Sequence, residues 1–211
     1  MLAYQNSNKD NPMNMTPNQA LLRDVIVPCE GAALRVKQFI LVAFGIIFLS
    51  IAAKIQVPMW PVPITMGTFA VLSIGTAYGT RLGFATILGY MIIGALGFDV
   101  FANSSAENFG LTYMMGGTGG YLLGYVLAVL ALGRFARLGW DRSMPKIALA
   151  MLVGNILIYV PGLIWLGMLY GWDKPILQWG LTPFLMGDAV KLILATLILP
   201  TIWRVLNKSH T

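Results

Sequence analysis

The stretch FILVAFGIIFLSIAA, residues 39–53, carries no charge, and it lies between Lys37 and Lys54. A run of this composition suits the hydrocarbon interior of a bilayer. The long lysine side chains at its two ends can extend towards opposite membrane surfaces. We therefore predict that these residues form a membrane-spanning helix.

The rest of the chain has the same character. Of its 211 residues, 57% are hydrophobic and only 10% are charged, whereas about 25% of the residues in a soluble domain are charged. The apolar residues form several long runs rather than the alternating segments of about ten residues that a transmembrane barrel needs. The composition therefore predicts an all-α integral membrane protein.

Proline-rich and glycine-rich segments divide the apolar runs. VPMWPVPIT (57–65) contains three prolines that cannot continue a helix, and residues 99–120 form a long polar and glycine-rich connection. We predict a six-helix bundle in one transmembrane domain at 35–205, with a disordered polar tail at 1–34 and a short tail at 206–211. The predicted helices cover residues 39–53, 66–80, 82–98, 120–136, 147–170 and 183–203.

The distribution of basic residues predicts the orientation of the bundle. If both termini are cytoplasmic, eleven Lys and Arg residues fall in cytoplasmic segments and two, Lys54 and Lys174, fall in outer loops. This asymmetry follows the positive-inside rule, so we expect both termini to be cytoplasmic. The expected location is the plasma membrane of a bacterial or archaeal cell, with membrane lipid around the bundle.

Several classes of function do not fit this sequence. The formal charge of +6 resides between apolar runs rather than on a soluble basic face, so we expect no nucleic-acid partner. The chain has one cysteine, Cys29, and one histidine, His210. MMGGTGGYLLGY (114–125) lacks the Gly-Lys-Ser/Thr that ends a phosphate-binding loop. We therefore expect no metal, no cofactor and no enzymatic activity.

Two opposite charges stand out in FLMGDAVKLILA (184–195). Asp188 and Lys191 share a helix face and lie about 7 to 12 Å below the predicted outer end of the last helix. A charge in hydrocarbon costs about 2.5 to 3.5 kcal/mol, so such residues pair or face a wet cavity. The pair could grip a ligand that carries N–H groups and an oxygen acceptor. It could also fix helix packing alone, and the residues themselves leave both possibilities open.

A few further polar or aromatic side chains fall within the apolar runs. Asn155 is the other strongly polar residue, and Tyr90, Tyr159 and Trp165 are aromatic rings with polar tips. Such side chains often join helices or anchor them at the interface. If they converge with Asp188, they form the walls of a pocket.

Four motifs, taken together, resemble the BioY family, the biotin-specific substrate-binding (S) components of energy-coupling-factor transporters. They are VPMWPVPIT (57–65), RLGFATILGYMIIGALGFDVFA (81–102), GGTGGYLLGY (116–125) and PFLMGDAVKL (183–192). The resemblance implies six helices with cytoplasmic termini and high-affinity capture of biotin from the outer face. It also implies delivery by toppling of the S component, driven by a membrane-embedded coupling protein and ATP-binding-cassette ATPases.

The resemblance also suggests the residues of the binding site. The Asp-x-x-Lys motif that contacts biotin in the family falls on Asp188 and Lys191, and residues 57–65 and 99–120 are similar to the family's lid. The further contacts that it implies are Trp60, Thr65, Tyr90, Phe101 and Asn155.

The sequence departs from the family pattern at two places. Family members often carry a Gln two residues after Pro-Ile-Thr, where this chain reads PITMGT (63–68). Small residues four apart on the first helix, where the coupling protein docks, are replaced by pairs such as Ala43 and Ile47. A solitary transporter therefore remains an option. The alternatives in function are an S component for another small vitamin and a structural membrane protein held by its Asp-Lys pair.

Overall fold

The computed structural model describes residue 21, residues 31–104 and residues 108–208. Most of the predicted tails, at 1–20, 22–30 and 209–211, lie outside the described residues, so the proposed domain limits stay predictions. The described residues are mostly helical. Their elements, in chain order, are α1 (Gly31–Lys54), β1 (Gln56–Val57), β2 (Ile64–Thr65), α2 (Gly67–Ala95), α3 (Gly110–Met114), α4 (Gly119–Arg137), a short 3-10 turn (Trp140–Arg142), α5 (Met144–Tyr170), α6 (Ile176–Gly180) and α7 (Thr182–Lys208).

Four helical segments in the described part of the chain are long and apolar enough to cross a membrane. They are Ala32–Lys54, Gly119–Arg137, Met144–Tyr170 and Ile176–Ile202. The first begins before the predicted position 39 because Ala32, Ala33 and Leu34 continue the helix on its N-terminal side. The helical character that composition predicted is confirmed.

The predicted second and third helices are joined in α2, which bends at Gly79. The backbone there has φ 75° and ψ −176°, a conformation that is open almost only to glycine. On either side run helical arms at 67–78 and 80–95, about 18 and 24 Å long at 1.5 Å per residue. The bend therefore changes the direction of the chain without a loop, two residues before the predicted boundary at Arg81.

Close packing of α4 between α2 and α5 forms the centre of the bundle. A Cβ on Gly124 would lie 2.6 Å from the Cα of Ile158 on α5, and one on Gly133 would lie 2.2 Å from the backbone nitrogen of Thr80 on α2. Only glycine allows the backbones to approach so closely. The glycine-rich segment at 116–125 thus contributes a close helix contact at Gly124.

The connections at one end of the bundle are folded over it. β1 and β2 form an antiparallel hairpin in which Gln56 pairs with Thr65 and Val57 with Ile64. The prolines of residues 57–65 lie in the hairpin loop, where no ladder hydrogen bond is required of them. Near the start of α4, the Gly116 carbonyl accepts a 2.8 Å hydrogen bond from the Trp165 indole of α5. These connections cover the cavity described next.

Candidate ligand-binding site

A cavity of about 50 Å³ lies beneath the hairpin, where α2, α4, α5 and α7 converge. Its lining combines aromatic rings with a few hydroxyl groups and one ammonium. The lining residues that matter most for its chemistry are Thr65, Thr68, Tyr90, Phe101, Tyr159 and Lys191.

Asp188 and Lys191 form a buried ion pair on α7. Lys191 Nζ lies 3.0 Å from Asp188 Oδ1, and the two residues are only 6% and 5% exposed. Their spacing of three residues brings both side chains to one face of α7, as the sequence predicted. Lys191 Nζ also donates a 2.9 Å hydrogen bond to Thr68 Oγ1 on α2. The ammonium therefore joins α7 to the first turn of α2.

Hydrogen bonds from two neighbouring helices hold the carboxylate of Asp188. The Tyr159 hydroxyl on α5 donates to Oδ2, and Thr68 Oγ1 lies 3.5 Å from Oδ1. Removing one partner of a buried ion pair leaves a charge without compensation, at a cost of about 3 to 5 kcal/mol. The network therefore fixes the relative position of α2, α5 and α7.

Aromatic rings form another part of the cavity lining. The ring of Phe101 is stacked on that of Tyr113, with centroids 4.8 Å apart and planes 9° apart. Tyr90 meets Phe101 edge to face at 5.3 Å, and its hydroxyl donates a 3.0 Å hydrogen bond to the Val100 carbonyl. These aromatic rings and the Lys191 ammonium thus line the same cavity.

The predicted site residues divide into two groups. Lys191, Thr65, Tyr90 and Phe101 line the cavity, and Asp188 is bonded to three of its lining residues, Thr68, Tyr159 and Lys191. Trp60 and Asn155 are not among the lining residues.

Trp60 lies on the outside of the hairpin loop. It is 66% exposed, and its ring meets those of Tyr170 and Trp179 edge to face at 5.4 and 5.0 Å. The position of Trp60 in this loop gave no indication of which side its ring would face, because prolines remove the regular alternation of a strand.

Asn155 lies in a second depression, a groove of about 550 Å³ between α5 and α7. It precedes Tyr159 by four residues and therefore lies one helical turn deeper on the same face of α5. Asp188 and Tyr159 also line this groove. Asn155 Oδ1 is buried and accepts no hydrogen bond from any residue that the structure describes.

Several residues of the cavity were not predicted from the sequence. Thr68 and Tyr113 come from segments whose helical spacing gave no sign of the cavity. Tyr121 and Tyr125, in contrast, are four residues apart on α4 and share one face, so their spacing was a signal that could have been used. Among the described residues, no group of three or more His, Cys, Asp or Glu could hold a metal ion.

A set of exposed polar contacts fastens the loop at 99–104 to the end of α1. Lys54 Nζ lies 2.5 Å from Asp99 Oδ1 and 3.2 Å from Ser104 Oγ. Gln56 Nε2 donates a 2.6 Å hydrogen bond to Asn103 Oδ1. Hydrogen bonds from Lys54 and Ser104 lower the pKa of the Asp99 carboxyl below its ordinary value. We call these three contacts the polar clasp.

Comparison with known proteins gives a consistent picture. The sequence model of the BioY family matches residues 23–208. The "Probable biotin transporter BioY" of Pyrococcus horikoshii is 36% identical over 165 residues, which cover 78% of this chain and 95% of that protein. The "Biotin transporter BioY2" of Lactococcus lactis is 31% identical over 175 residues, which cover 81% and 91% of the two chains.

A solved structure shares the fold. The crystal structure of the S-component for biotin from an ECF-type ABC transporter superposes with a TM-score of 0.69 and covers 83% of this chain and 95% of that chain. Its sequence is 23% identical to this one, so this likeness concerns the fold. Because the family match and the relatives extend over most of its length, the chain belongs to the BioY family.

Proposed function

We propose that this protein captures biotin and serves in its uptake, as the substrate-binding component of an energy-coupling-factor transporter. It works as a transporter component and not as an enzyme. The observation that carries the proposal is the buried Asp188–Lys191 pair, which reaches a cavity walled by aromatic rings.

The chemistry of this site complements that of biotin. The vitamin has two ureido N–H donors, a carbonyl, a carboxylate and an apolar ring and chain. A carboxylate offers about four acceptor positions, and the contacts from Lys191, Thr68 and Tyr159 use three of them. One ureido N–H takes the fourth, and the second replaces the long 3.5 Å contact from Thr68. The Lys191 ammonium donates to an oxygen of the vitamin.

The remaining predicted contacts follow from their positions. Thr65, Tyr90 and Phe101 line the cavity. We keep Thr65 and Tyr90 as contacts of biotin in the occupied site, and Phe101 as a residue that biotin meets when it enters. Trp60 and Asn155 do not line it, so we assign Trp60 to closure of the outer surface. We assign Asn155 to the groove between α5 and α7.

We further propose that the chain crosses the membrane six times, with both termini in the cytoplasm. Counting the two arms of α2 as separate crossings adds two to the four long apolar segments. With this orientation, the hairpin and the cavity face outwards and most basic residues face inwards. The sequence has no nucleotide-binding motif, so energy would come from a coupling protein and ATP-binding-cassette ATPases in the plasma membrane.

Titration calorimetry on the full chain in lipid nanodiscs tests the function. We expect one biotin to bind per chain with high affinity, and thiamine and riboflavin to give no heat at the same concentrations. Binding of thiamine or riboflavin in place of biotin would assign the protein to another vitamin. No binding of any of the three would favour a structural role for the Asp188–Lys191 pair.

A further inference from the structure

In the protein conformation described above, the cavity is too small to hold biotin. Its volume is about 50 Å³, whereas pockets for small organic ligands measure about 300 to 1,000 Å³. Capture of a vitamin therefore requires that some part of the lining moves. Close backbone contacts at Gly124 and Gly133 hold α2, α4 and α5 together, and the hydrogen bonds of Asp188 and Lys191 join α7 to α5 and α2. The covering segments are therefore the parts to consider.

Phe101 fills the cavity from a loop rather than from a helix. Its side chain is only 1% exposed, whereas Asp99 and Asn103 on either side of it are exposed. The ring lies flat on Tyr113 and meets the edge of Tyr90. A loop side chain thus occupies a place between aromatic walls that would suit the apolar part of a ligand.

Helix α2 leaves room for this ring at one position. A Cβ on Gly94 would lie 2.1 Å from Cζ of Phe101, so only glycine is compatible with the ring at that place. Glycine inside a helix is less favourable than alanine, so this position gives up helix stability to hold the ring. The Phe101 ring occupies the space over Gly94, and that space would pass to whatever replaces the ring.

The loop that carries Phe101 is built to move more easily than the hairpin. Gly97, with φ 97°, and Asn103, with φ 53°, have left-handed backbone conformations on either side of Phe101. The polar clasp that fastens the loop is exposed, and exposed ion pairs contribute little to stability. The hairpin, in contrast, is held by ladder hydrogen bonds and by the packing of Trp60 against two aromatic rings.

We propose that Phe101 is the residue that the ligand displaces. Its ring occupies the surface of Tyr113 and the space over Gly94 until the apolar part of the ligand takes that place. Only molecules in which Phe101 is withdrawn can bind the ligand, so the apparent affinity equals the intrinsic affinity multiplied by the fraction of such molecules. Withdrawal of Phe101 also limits the rate of capture. The inference rests on the proposed function, because it takes biotin as the ligand.

The kinetics of biotin binding to Phe101→Ala test this inference, because displacement and simple contact predict opposite effects. If Phe101 must leave, the variant should bind biotin about tenfold faster and more tightly, since the closed fraction is removed. If Phe101 is a wall of the occupied site, the variant should bind more weakly. Phe184→Ala is the matched control, because Phe184 lines the cavity from a helix, and it should only speed dissociation.

A second experiment leaves Phe101 unsubstituted and follows the movement of its loop. In Ala102→Cys, combined with Cys29→Ser, the new thiol lies beside Phe101 at a position that is 6% exposed. Displacement of the loop predicts faster labelling by a water-soluble maleimide when biotin is added, whereas a ligand that merely rests under the loop predicts protection.

The outcomes separate this inference from the proposed function. Biotin binding by the wild-type protein, together with weaker binding by Phe101→Ala or with protection of the Ala102→Cys thiol, would overturn the displacement alone. A wild-type protein that does not bind biotin would overturn both.

Discussion

The hydroxyl of Tyr159 on α5 donates a hydrogen bond to the buried carboxylate of Asp188 on α7. The other oxygen of that carboxylate lies 3.0 Å from Lys191. One side of the ion pair is therefore oriented by a neighbouring helix, and the site depends on the packing of α5 against α7. The same contacts hold the charged groups in place before a ligand arrives, which reduces the ordering that binding requires.

Tyr159→Phe should weaken biotin binding while the protein remains folded. The substitution keeps the ring and removes one hydrogen bond to a charged group, which contributes about 1.5 to 3 kcal/mol, so the dissociation constant should rise about 10- to 100-fold. Calorimetry measures the change. Tyr170→Phe is the control, because that ring packs against Trp60 and Trp179 and does not line the cavity. Unchanged binding in both variants would contradict a positioning role for Tyr159.

Asp188→Asn and Lys191→Met should each abolish or strongly weaken biotin binding and also lower stability. Each leaves a buried charge without its partner, with a loss of about 3 to 5 kcal/mol. The combination Asp188→Leu with Lys191→Met removes both charges. We expect it to recover much of the thermal stability of the single variants and still fail to bind biotin.

The exposed pair of Asp173 and Lys174 provides the control for these variants. Its atoms are also 3.0 Å apart, but the side chains are 72% and 50% exposed. Asp173→Asn with Lys174→Met should change stability by less than about 1 kcal/mol and leave biotin binding unchanged. If the double variant at 188 and 191 bound biotin normally, the pair would have only a packing role.

Lys54→Met should loosen the loop that covers the cavity. The change removes the ammonium that contacts both Asp99 and Ser104, and since these contacts are exposed, the loss in stability should stay below about 1 kcal/mol. Biotin should both enter and leave faster in stopped-flow measurements. Lys174→Met, on the connection between α5 and α6, serves as the control. Equal rates in wild type and Lys54→Met would show that the polar clasp does not restrain the loop.

The contribution of Asp99 to the stability of the fold should be lost at acidic pH. Its pKa is lowered in the folded protein from the ordinary value of 3.8 by hydrogen bonds from Lys54 and Ser104. A lowered carboxyl pKa stabilises the fold above the unfolded value, and this gain is lost as the pH falls through the folded value. Wild type should therefore melt slightly above Asp99→Asn at pH 6, and the two melting curves should converge as the pH falls below the ordinary value of 3.8 and through the lowered one. A difference that grows on acidification would contradict this assignment.

Gly79→Ala should destabilise the bundle by about 1 to 3 kcal/mol, because φ of 75° with an extended ψ strains any residue that has a side chain. The new Cβ would also lie 2.4 Å from Cδ1 of Leu21. Thermal unfolding in detergent measures the effect. Gly187→Ala is the control, since the nearest atom to its Cβ is Ile64 Cγ2 at 3.7 Å and its helix should gain slightly from alanine. Equal melting temperatures would show that the bend does not need glycine.

Composition and spacing were sufficient for the main character of this protein. In hydrocarbon, the backbone groups of long apolar runs can form their hydrogen bonds only in helices or closed barrels. The length of the runs in this chain indicated helices. The spacing of Asp188 and Lys191 placed both charges on one helix face, because residues three apart on a helix are neighbours. The order of the motifs then indicated the BioY family.

Tertiary structure decided which side chains meet in the cavity. Helical spacing shows which residues share a face, but it does not give the rotation of each helix or the path of the loops between them. Tyr159 and Thr68 became partners of Asp188 only through the packing of α5 and α2 against α7. Asn155 shares a helix face with Tyr159 but lies one turn farther from the cavity, and helical spacing alone did not show this difference. Phe101 reaches the cavity because the loop folds back over Gly94, a long-range contact that local sequence patterns do not encode.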